Sequence, residues 1–456
     1  MHFLRITSID KWVETLEKDD LLAELTGFSA LKQSLPGVGT YYRFFDRLVD
    51  GPVGMYPKGL EPSSLRKMVT FRFLGTKKNK EDKALKEELA RKGITMSEQL
   101  YKELKQGDTS KFKELLRERV NELLFVCAVL PSIKKGLFDS TQPFSISGDG
   151  SCLVTGAARW GRPSCDCHKN GIYSCDHPRI YSDRKAEVGY DSYRKRFFFG
   201  HNLYHITYKG SDYDLPILAS IGSGSESDFT LSIKSIEQFL NLLERYAPSW
   251  KVDSFAGDGH HDSYGVYHYL QFRGVIPVIP LRKDSQKAFI NAKGQEFSEN
   301  GIPLCPGGIE MCLQGRDAKQ HKLTYVCPCK SKTTRRIERC PLATEANPDF
   351  LCQPETKYGP TKKVSCSDDP RLFPEIPRHT QKYERLYNDR SSCERVNSIL
   401  KQSYKLEEAR HRHQEFWLIR AAFIDICHHV DIWFKQTFPE ELTLDSFDTW
   451  MKEARM

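Results

Sequence analysis

The chain changes its hydrophobic rhythm along its length. Near the N-terminus, Asp20-Leu-Leu-Ala-Glu-Leu-Thr-Gly-Phe-Ser29 reads as a helix and a turn. Leu35-Pro-Gly-Val-Gly-Thr40 then leads into a second short helix over 41–48, with Thr40 as its N-cap. Helical spacing continues over 81–92 and 111–129. From about residue 140 the period shortens. Phe144 and Ile146 alternate with serines up to Asp149, which predicts a strand. A second apolar strand runs from Val252 and ends in Asp258, and a helix-like stretch over 264–272 follows. Residues 274–282 read as another buried strand. Near the far end, Phe416, Trp417, Ile419, Phe423, Ile426, Ile432 and Trp433 recur at helical spacing over 415–438, a core helix packed on a sheet. The pattern predicts an α/β core behind a helical N-terminal region.

Chemistry concentrates where polar residues fall on one helical face. At about 100° per residue, with Glu394 at zero, Tyr387 falls near +20°, Arg390 near −40°, Lys401 near −20° and Asn397 near −60°. A carboxylate flanked by two cations, a phenol and an amide suits a metal ion and a phosphodiester: Glu394 for the metal, Arg390 and Lys401 for phosphates. Two aspartates sit in comparable contexts, Asp149 in Ser147-Gly-Asp-Gly150 and Asp258 in Ala256-Gly-Asp-Gly-His-His-Asp262. Each has a plainer reading. Gly-Asp-Gly is a good turn sequence, and Ser391 with Glu394 spells a capping box. Asp262 rivals Asp258, which is preferred because it directly ends the strand.

The spacing Tyr, two residues, Arg, three residues, Glu, six residues, Lys resembles the Tyr-Arg-Glu-Lys signature of a large group of DDE transposases from bacterial insertion sequences. The resemblance spans roughly residues 40 to 435. It implies an RNase H-like core with a mixed sheet, in which Phe198-Phe-Gly-His-Asn-Leu-Tyr-His205 is the second strand and Leu215-Pro-Ile-Leu-Ala219 the third. It also implies that Asp149, Asp258 and Glu394 form the catalytic triad and hold Mg²⁺ (or Mn²⁺), two hard cations about 4 Å apart clamping an in-line phosphoryl displacement. In those relatives that cut through a hairpin intermediate the Tyr, Arg and Lys grip phosphates and a flipped base, so the resemblance extends those roles to Tyr387, Arg390 and Lys401, with the hairpin route left open. The expected partner is double-stranded DNA, both element ends and target, engaged by a homodimer in the bacterial cytoplasm in association with the nucleoid.

Composition fits. A mean hydropathy of −0.54 and 28% charged residues describe a soluble protein. The longest apolar run, 123–130, stops at Pro131, so no membrane span is expected, and Arg5, Asp10 and Lys11 break any N-terminal signal peptide. The formal charge is +8, and residues 58–119 hold 17 Lys and Arg against 10 Asp and Glu. That stretch reads either as a solvated helix face or, in a phosphodiester enzyme, as a phosphate-contacting surface, and the two short helices before it either as a small helical packing unit or as a helix-turn-helix that reads element ends.

Cysteine usage adds a metal question. Of 14 cysteines, seven lie between 305 and 366. A segment with little apolar core often needs a metal staple, which predicts one Zn²⁺ on Cys305, Cys312, Cys327 and Cys340, with Cys329 and Cys352 as substitutes. Cys165, Cys167 and Cys175, with His168 and His177 interleaved, read either as a second metal site or as a loop. Lys330, Lys332, Arg335 and Arg336 mark the same insertion as a DNA contact. The expected organisation is a helical basic DNA-binding region (1–140), the first part of an RNase H-like core (141–285), a Cys-rich insertion (286–370), the second part with the Glu394 helix (371–440) and a tail (441–456). The expected function is DNA strand cleavage and strand transfer. Its rivals are a nuclease that cuts without joining, a silent transposase-derived DNA-binding protein, and a zinc-dependent adaptor.

Overall fold

The computed structural model describes residues 6, 8–28, 35–48, 80–109, 118–139, 143–159, 162–163, 165–173, 175, 177, 179–183, 185–210, 212–282, 286–291, 293–330, 340–347, 350, 352–353, 355–409 and 411–437. Strand β1, Phe144–Val154, is central. It pairs antiparallel with β5, Arg196–Lys209, and parallel with β7, Val252–Ala256. The strand was expected to end near Asp149. It runs on because β5 supplies partners as far as Val154↔Gly200. β5 also pairs antiparallel with β4, Glu187–Asp191, and with β6, Asp214–Ser223, while β8, Ile276–Val278, lies parallel beside β7 at the sheet edge. The sheet is therefore mixed. The predicted strand over 274–282 shrinks to three residues because Pro277 and Pro280 carry no N–H for a ladder.

Helices cover both faces. Side chains alternate along β1: Phe144 packs its ring against Phe239 of the helix Asp228–Tyr246, whereas Ser147, three residues on, meets Ser392 of the helix Ser391–Gln402. The two helices thus flank the sheet. Phe239, Leu203, Ile206, Tyr267 and Trp417 are almost fully buried, each contributing about 1.5–3 kcal/mol by burial. The edge of β6 is closed by Asn121, whose amide Nδ2 donates to the Ala219 carbonyl at 2.8 Å and whose oxygen accepts from Ala219 N at 3.3 Å.

In chain order the helices are α1 (Ile9–Lys18), α2 (Asp20–Leu25), α3 (Val38–Leu48), α4 (Lys80–Lys105), α5 (Glu118–Leu124), α6 (Leu130–Lys134), α7 (Asp228–Tyr246), α8 (Tyr264–Phe272), α9 (Gln381–Asn388), α10 (Ser391–Gln402) and α11 (Gln414–Thr437). Helix α3 begins at Val38, so Thr40 lies inside it and is not its N-cap. Trp12, Leu16, Leu22 and Ala23 form a small core for α1 and α2, and the Trp12 indole donates to the Tyr41 hydroxyl at 3.1 Å. Between α5 and α6 the helix widens into a π turn, Phe125–Val129. Pro131 follows, and its missing N–H is what a widened turn accommodates. Much of the basic stretch, residues 49–79 and 110–117, lies outside the described residues, as do Lys332, Arg335, Arg336 and the tail. Among the described residues no helix is long and apolar enough to cross a membrane.

The segment expected to lack a core has one. The short strands β9 (Phe289–Ile290) and β10 (Glu296–Phe297) pair with each other. Strands β11 (Cys312–Asp317), β12 (Lys322–Val326) and β13 (Thr361–Ser365) make a three-stranded antiparallel sheet. Phe297, Ile302, Met311, Leu323, Tyr325, Val364 and Phe373 pack together there. Scattered apolar residues converge across strands, which a search for long apolar runs does not detect.

Candidate active site

Asp149 sits in mid-strand, facing His205 across the ladder. The glycines beside it make no turn. A methyl at Gly148 would collide with the Tyr204 phenol oxygen, and one at Gly150 with the Asp228 carboxylate. Glycine is needed on both sides because other groups approach the backbone closely.

Two residues beyond β7, Asp258 caps the short turn Gly259–His261. It accepts from His260 N at 2.9 Å, His260 Nδ1 at 2.8 Å and His261 Nδ1 at 2.9 Å. Burial alone would raise its carboxyl, but the two imidazoles outweigh burial and hold it well below the usual carboxylate range. In return Asp258 lifts His260 to about 9. Burial opposes a charge on His261, yet Asp258 raises it too. Asp228, at the start of α7, is held by Asn202 Nδ2 at 3.1 Å, and its own carboxyl is raised by burial. Asp149 is pushed up to about 7 by burial first, then by the charges of Asp228 and Asp258.

Glu394 comes from the other half of the chain. The expected continuous helix is broken: Tyr387 lies in the last turn of α9, Asp389 and Arg390 form a short joint, and α10 begins at Ser391. The capping box does not form either. Ser391 Oγ donates to Asn388 O at 2.7 Å, and α10 has no side-chain N-cap. Arg390 Nη2 reaches Glu394 Oε1 at 2.5 Å, and its guanidinium lies 5.7 Å from the centroid of the Tyr387 ring. Tyr387 in turn stacks on Tyr383, 5.9 Å between centroids and 9° between planes. Lys401 pairs with Glu407 Oε1 at 2.8 Å, not with Glu394, and Arg194 approaches the other Glu407 oxygen at 3.3 Å.

What holds α10 against β1 is a knot of hydroxyls and a thiol. Ser392 Oγ lies 2.8 Å from Ser147 Oγ and 3.0 Å from Thr207 Oγ1, and Cys393 Sγ donates to Ser147 Oγ at 2.9 Å. All four residues are buried, and the knot stands one residue before Glu394 and two before Asp149.

Asp149, Asp228, Asp258, Arg390, Glu394, Asn397 and Lys401 line one open cleft of about 1150 Å³. Asp262 is elsewhere engaged. It is fully buried, bound at both oxygens by Arg371 (Nε to Oδ1 2.7 Å, Nη2 to Oδ2 2.8 Å), and it accepts from Arg282 N at 2.9 Å. The acids of the cleft offer hard oxygen donors, the kind Mg²⁺ and Mn²⁺ prefer, and burial first, then the charges of Asp228 and Asp258, raises Asp149. Among the described residues, however, these acids do not converge into a group at metal-holding distance and would have to draw together around an ion.

Of the cysteines named for zinc, Cys327 and Cys340 cluster with the two substitutes, Cys329 and Cys352, and not with Cys305 and Cys312. Among the described residues, Cys305, Cys312, Cys327 and Cys340 do not form a group at metal-holding distance. Cys305 packs in the apolar cluster of Phe297 and Leu323, and Cys312 opens β11 opposite Val326. Sequence reasoning also missed Asp228 and Tyr204. A lone Asp after a serine reads as an ordinary helix start, and a Tyr in an apolar strand reads as core.

No curated protein and no solved structure matches the chain. A family model described as the transposase DDE domain does match, over residues 211–424. The matched span runs from the start of β6 into α11. It includes Asp258 and Glu394, while Asp149 precedes it. With an acid-lined cleft on a mixed α/β core already in view, this match supports a DDE transposase, an enzyme of nuclease type.

Proposed function

We propose that the chain is the transposase of a bacterial insertion sequence, which cuts DNA strands and joins them to a target through Asp149, Asp258 and Glu394. The observation that carries this reading is that three acids from separate elements, a central strand, a strand end and a helix, line one cleft with two cations beside them. The strand order β6–β5–β1–β7–β8, antiparallel up to β1 and parallel beyond it, supports an RNase H-like core. In this reading Asp149, Asp258 and Glu394 hold Mg²⁺ or Mn²⁺, with Asp228 adding negative charge behind them. Held by these acids, divalent ions would supply charge stabilisation for phosphodiester displacement. Arg390 and Lys401 neutralise DNA phosphates. His260 and His261 keep Asp258 ionised, and Tyr387 backs the Arg390 guanidinium that faces the strand. The substrate is double-stranded DNA at the element ends, held by a homodimer.

The test is strand cleavage on DNA carrying the sequences that flank this gene, in Mg²⁺ and in Mn²⁺. Asp258→Ala and Glu394→Gln each remove about 4 kcal/mol of transition-state stabilisation, which is roughly a thousandfold in rate. Cutting plus joining to a target, lost in both variants, is the expected outcome. Cutting without joining leaves a nuclease, and binding without cutting in either metal sinks the catalytic reading.

A further inference from the structure

The chain between β1 and β4 contains a loop whose described residues join no apolar core. Its neck is two residue pairs wide: β2 (Arg162–Pro163) faces β3 (Arg179–Ile180). So short a ladder is not stable alone. None of the described residues between 165 and 177 belongs to an apolar cluster, and Ile172 and Tyr173 stand 52% and 77% exposed. Yet the loop folds back tightly. Lys169 N and Asn170 N donate to Asp166 O, Ile172 N donates to Cys167 O, and Gly171 takes a positive φ of 76°.

Inside this turn four metal-binding side chains converge. One ligand atom from each of Cys165, Cys167, Cys175 and His177 lies within 4.8 Å of all the others. Cys165 Sγ is 3.5 Å from Cys175 Sγ, and Cys167 Sγ is 3.3 Å from His177 Nδ1. A tetrahedral zinc with Zn–S of about 2.3 Å and Zn–N of about 2.0 Å sets its ligand atoms roughly 3.5–3.8 Å apart. The nearby His168 is turned away, its ring edge-on to Tyr173 at 4.6 Å. The two ligand pairs, Cys-x-Cys and Cys-x-His, each lie on one short piece of backbone, and the turn between them brings the pairs face to face.

We propose that Cys165, Cys167, Cys175 and His177 bind one structural Zn²⁺ in a closed Cys₃His site, and that this ion supplies the stability the loop lacks. On binding, each thiol gives up its proton to solvent and the imidazole binds neutral. Four protein ligands leave no open position, so the site does no chemistry on a substrate. The alternative use of the sulfurs, a Cys165–Cys175 disulfide, would require them to close to about 2.05 Å and would leave Cys167 and His177 without a role. The proposal does not rest on the DNA chemistry above, and cleavage activity is not its readout.

The experiment is metal content and cobalt substitution on the full chain, purified reduced and without chelator. Wild type should carry one zinc more per chain than the Cys165→Ser/Cys175→Ser double variant. Cobalt in place of zinc should give the visible bands of a tetrahedral thiolate site, which that variant lacks. His177→Cys, a ligand exchange, should keep the zinc, and His177→Ala should lose it. A Cys305→Ser/Cys312→Ser control should lose none. The proposal is overturned if wild type takes up neither metal, if the double variant keeps all of its zinc, or if intact mass shows two hydrogens lost to a disulfide. Should the double variant fail to fold, the His177→Cys and His177→Ala pair with the wild-type cobalt spectrum still decides.

Discussion

His261 lies between two partners: its Nδ1–H donates to Asp258 Oδ1 at 2.9 Å, and its Nε2 is 2.8 Å from the hydroxyl of Tyr204. The imidazole is fully buried, so the phenol fixes the ring that in turn orients the carboxylate. Tyr204→Phe removes one buried hydrogen bond and should cost about 1–2 kcal/mol in a urea titration. If Asp258 holds a metal ion as proposed, loosening the shell that orients it should also lower DNA cleavage about ten- to a hundredfold, with DNA binding unchanged. An unaltered rate would mean that Tyr204 does not position the site.

Asp262 and Arg371 make the opposite kind of pair, one that fills a structural need. Arg371→Ala leaves a fully buried carboxylate without its forked partner and should destabilise the protein by about 3–5 kcal/mol. Thermal or chemical denaturation checks this. A loss well under 1 kcal/mol would imply that water enters and solvates Asp262.

For Arg390 the expected split is between stability and binding. Its pairing with Glu394, itself 55% exposed, is a surface i,i+4 contact and is worth no more than about 0.5 kcal/mol. Arg390→Ala should therefore leave the melting temperature nearly unchanged. In a salt titration of DNA binding it should lower the slope of log affinity against log salt by about 1. An unchanged slope would remove Arg390 from the phosphate contacts.

His429 gives a pH dependence with a definite sign. Its Nε2–H donates to Pro216 O at 2.8 Å, and its Nδ1 accepts from Ser132, which accepts in turn from the Trp433 indole at 2.7 Å. Burial pushes this imidazole down to about 3. Above the ordinary histidine value of about 6.5 it is neutral whether folded or unfolded. Below that value the unfolded chain takes up a proton that the folded chain refuses, so stability falls as pH drops from about 6.5 towards 3. Denaturation midpoints at pH 7 and pH 5 should show a smaller acid loss for His429→Gln, by about 1 kcal/mol per pH unit. Equal slopes would mean that His429 is already charged in the fold.

Where motifs are short and local, the sequence was a good guide. The helix over 264–272 has the expected ends, and Asp149, Asp258 and Glu394, chosen from their neighbours along the chain, line one cleft. Spacing failed where tertiary packing decides. Angles on an ideal helix could not foresee the joint at Asp389 and Arg390. The same arithmetic faced Lys401 towards Glu394, when Glu407 from the next turn takes it. Cysteine spacing brought Cys327 and Cys340 together with the two substitutes, Cys329 and Cys352, but could not foresee Cys312, whose place opposite Val326 is set by β-strand register. Asp228 is invisible in one dimension because its meaning comes from Asp149 and Asp258, which lie far from it along the chain.

The hydroxyl knot has a consequence for how this chain can change. Ser147 and Ser392 are 245 residues apart in sequence and 2.8 Å apart in space, so the bond between the sheet and the Glu394 helix runs across the fold and owes nothing to the peptide that links them. The intervening chain from β9 to β13 is a detour whose ends are already fixed. Lengthening such a detour costs little, about 0.6 kcal/mol for each doubling. Whole modules could be gained, lost or exchanged there over evolutionary time without shifting Glu394 relative to Asp149, whereas one added methyl at Ser147 would move the helix that carries it.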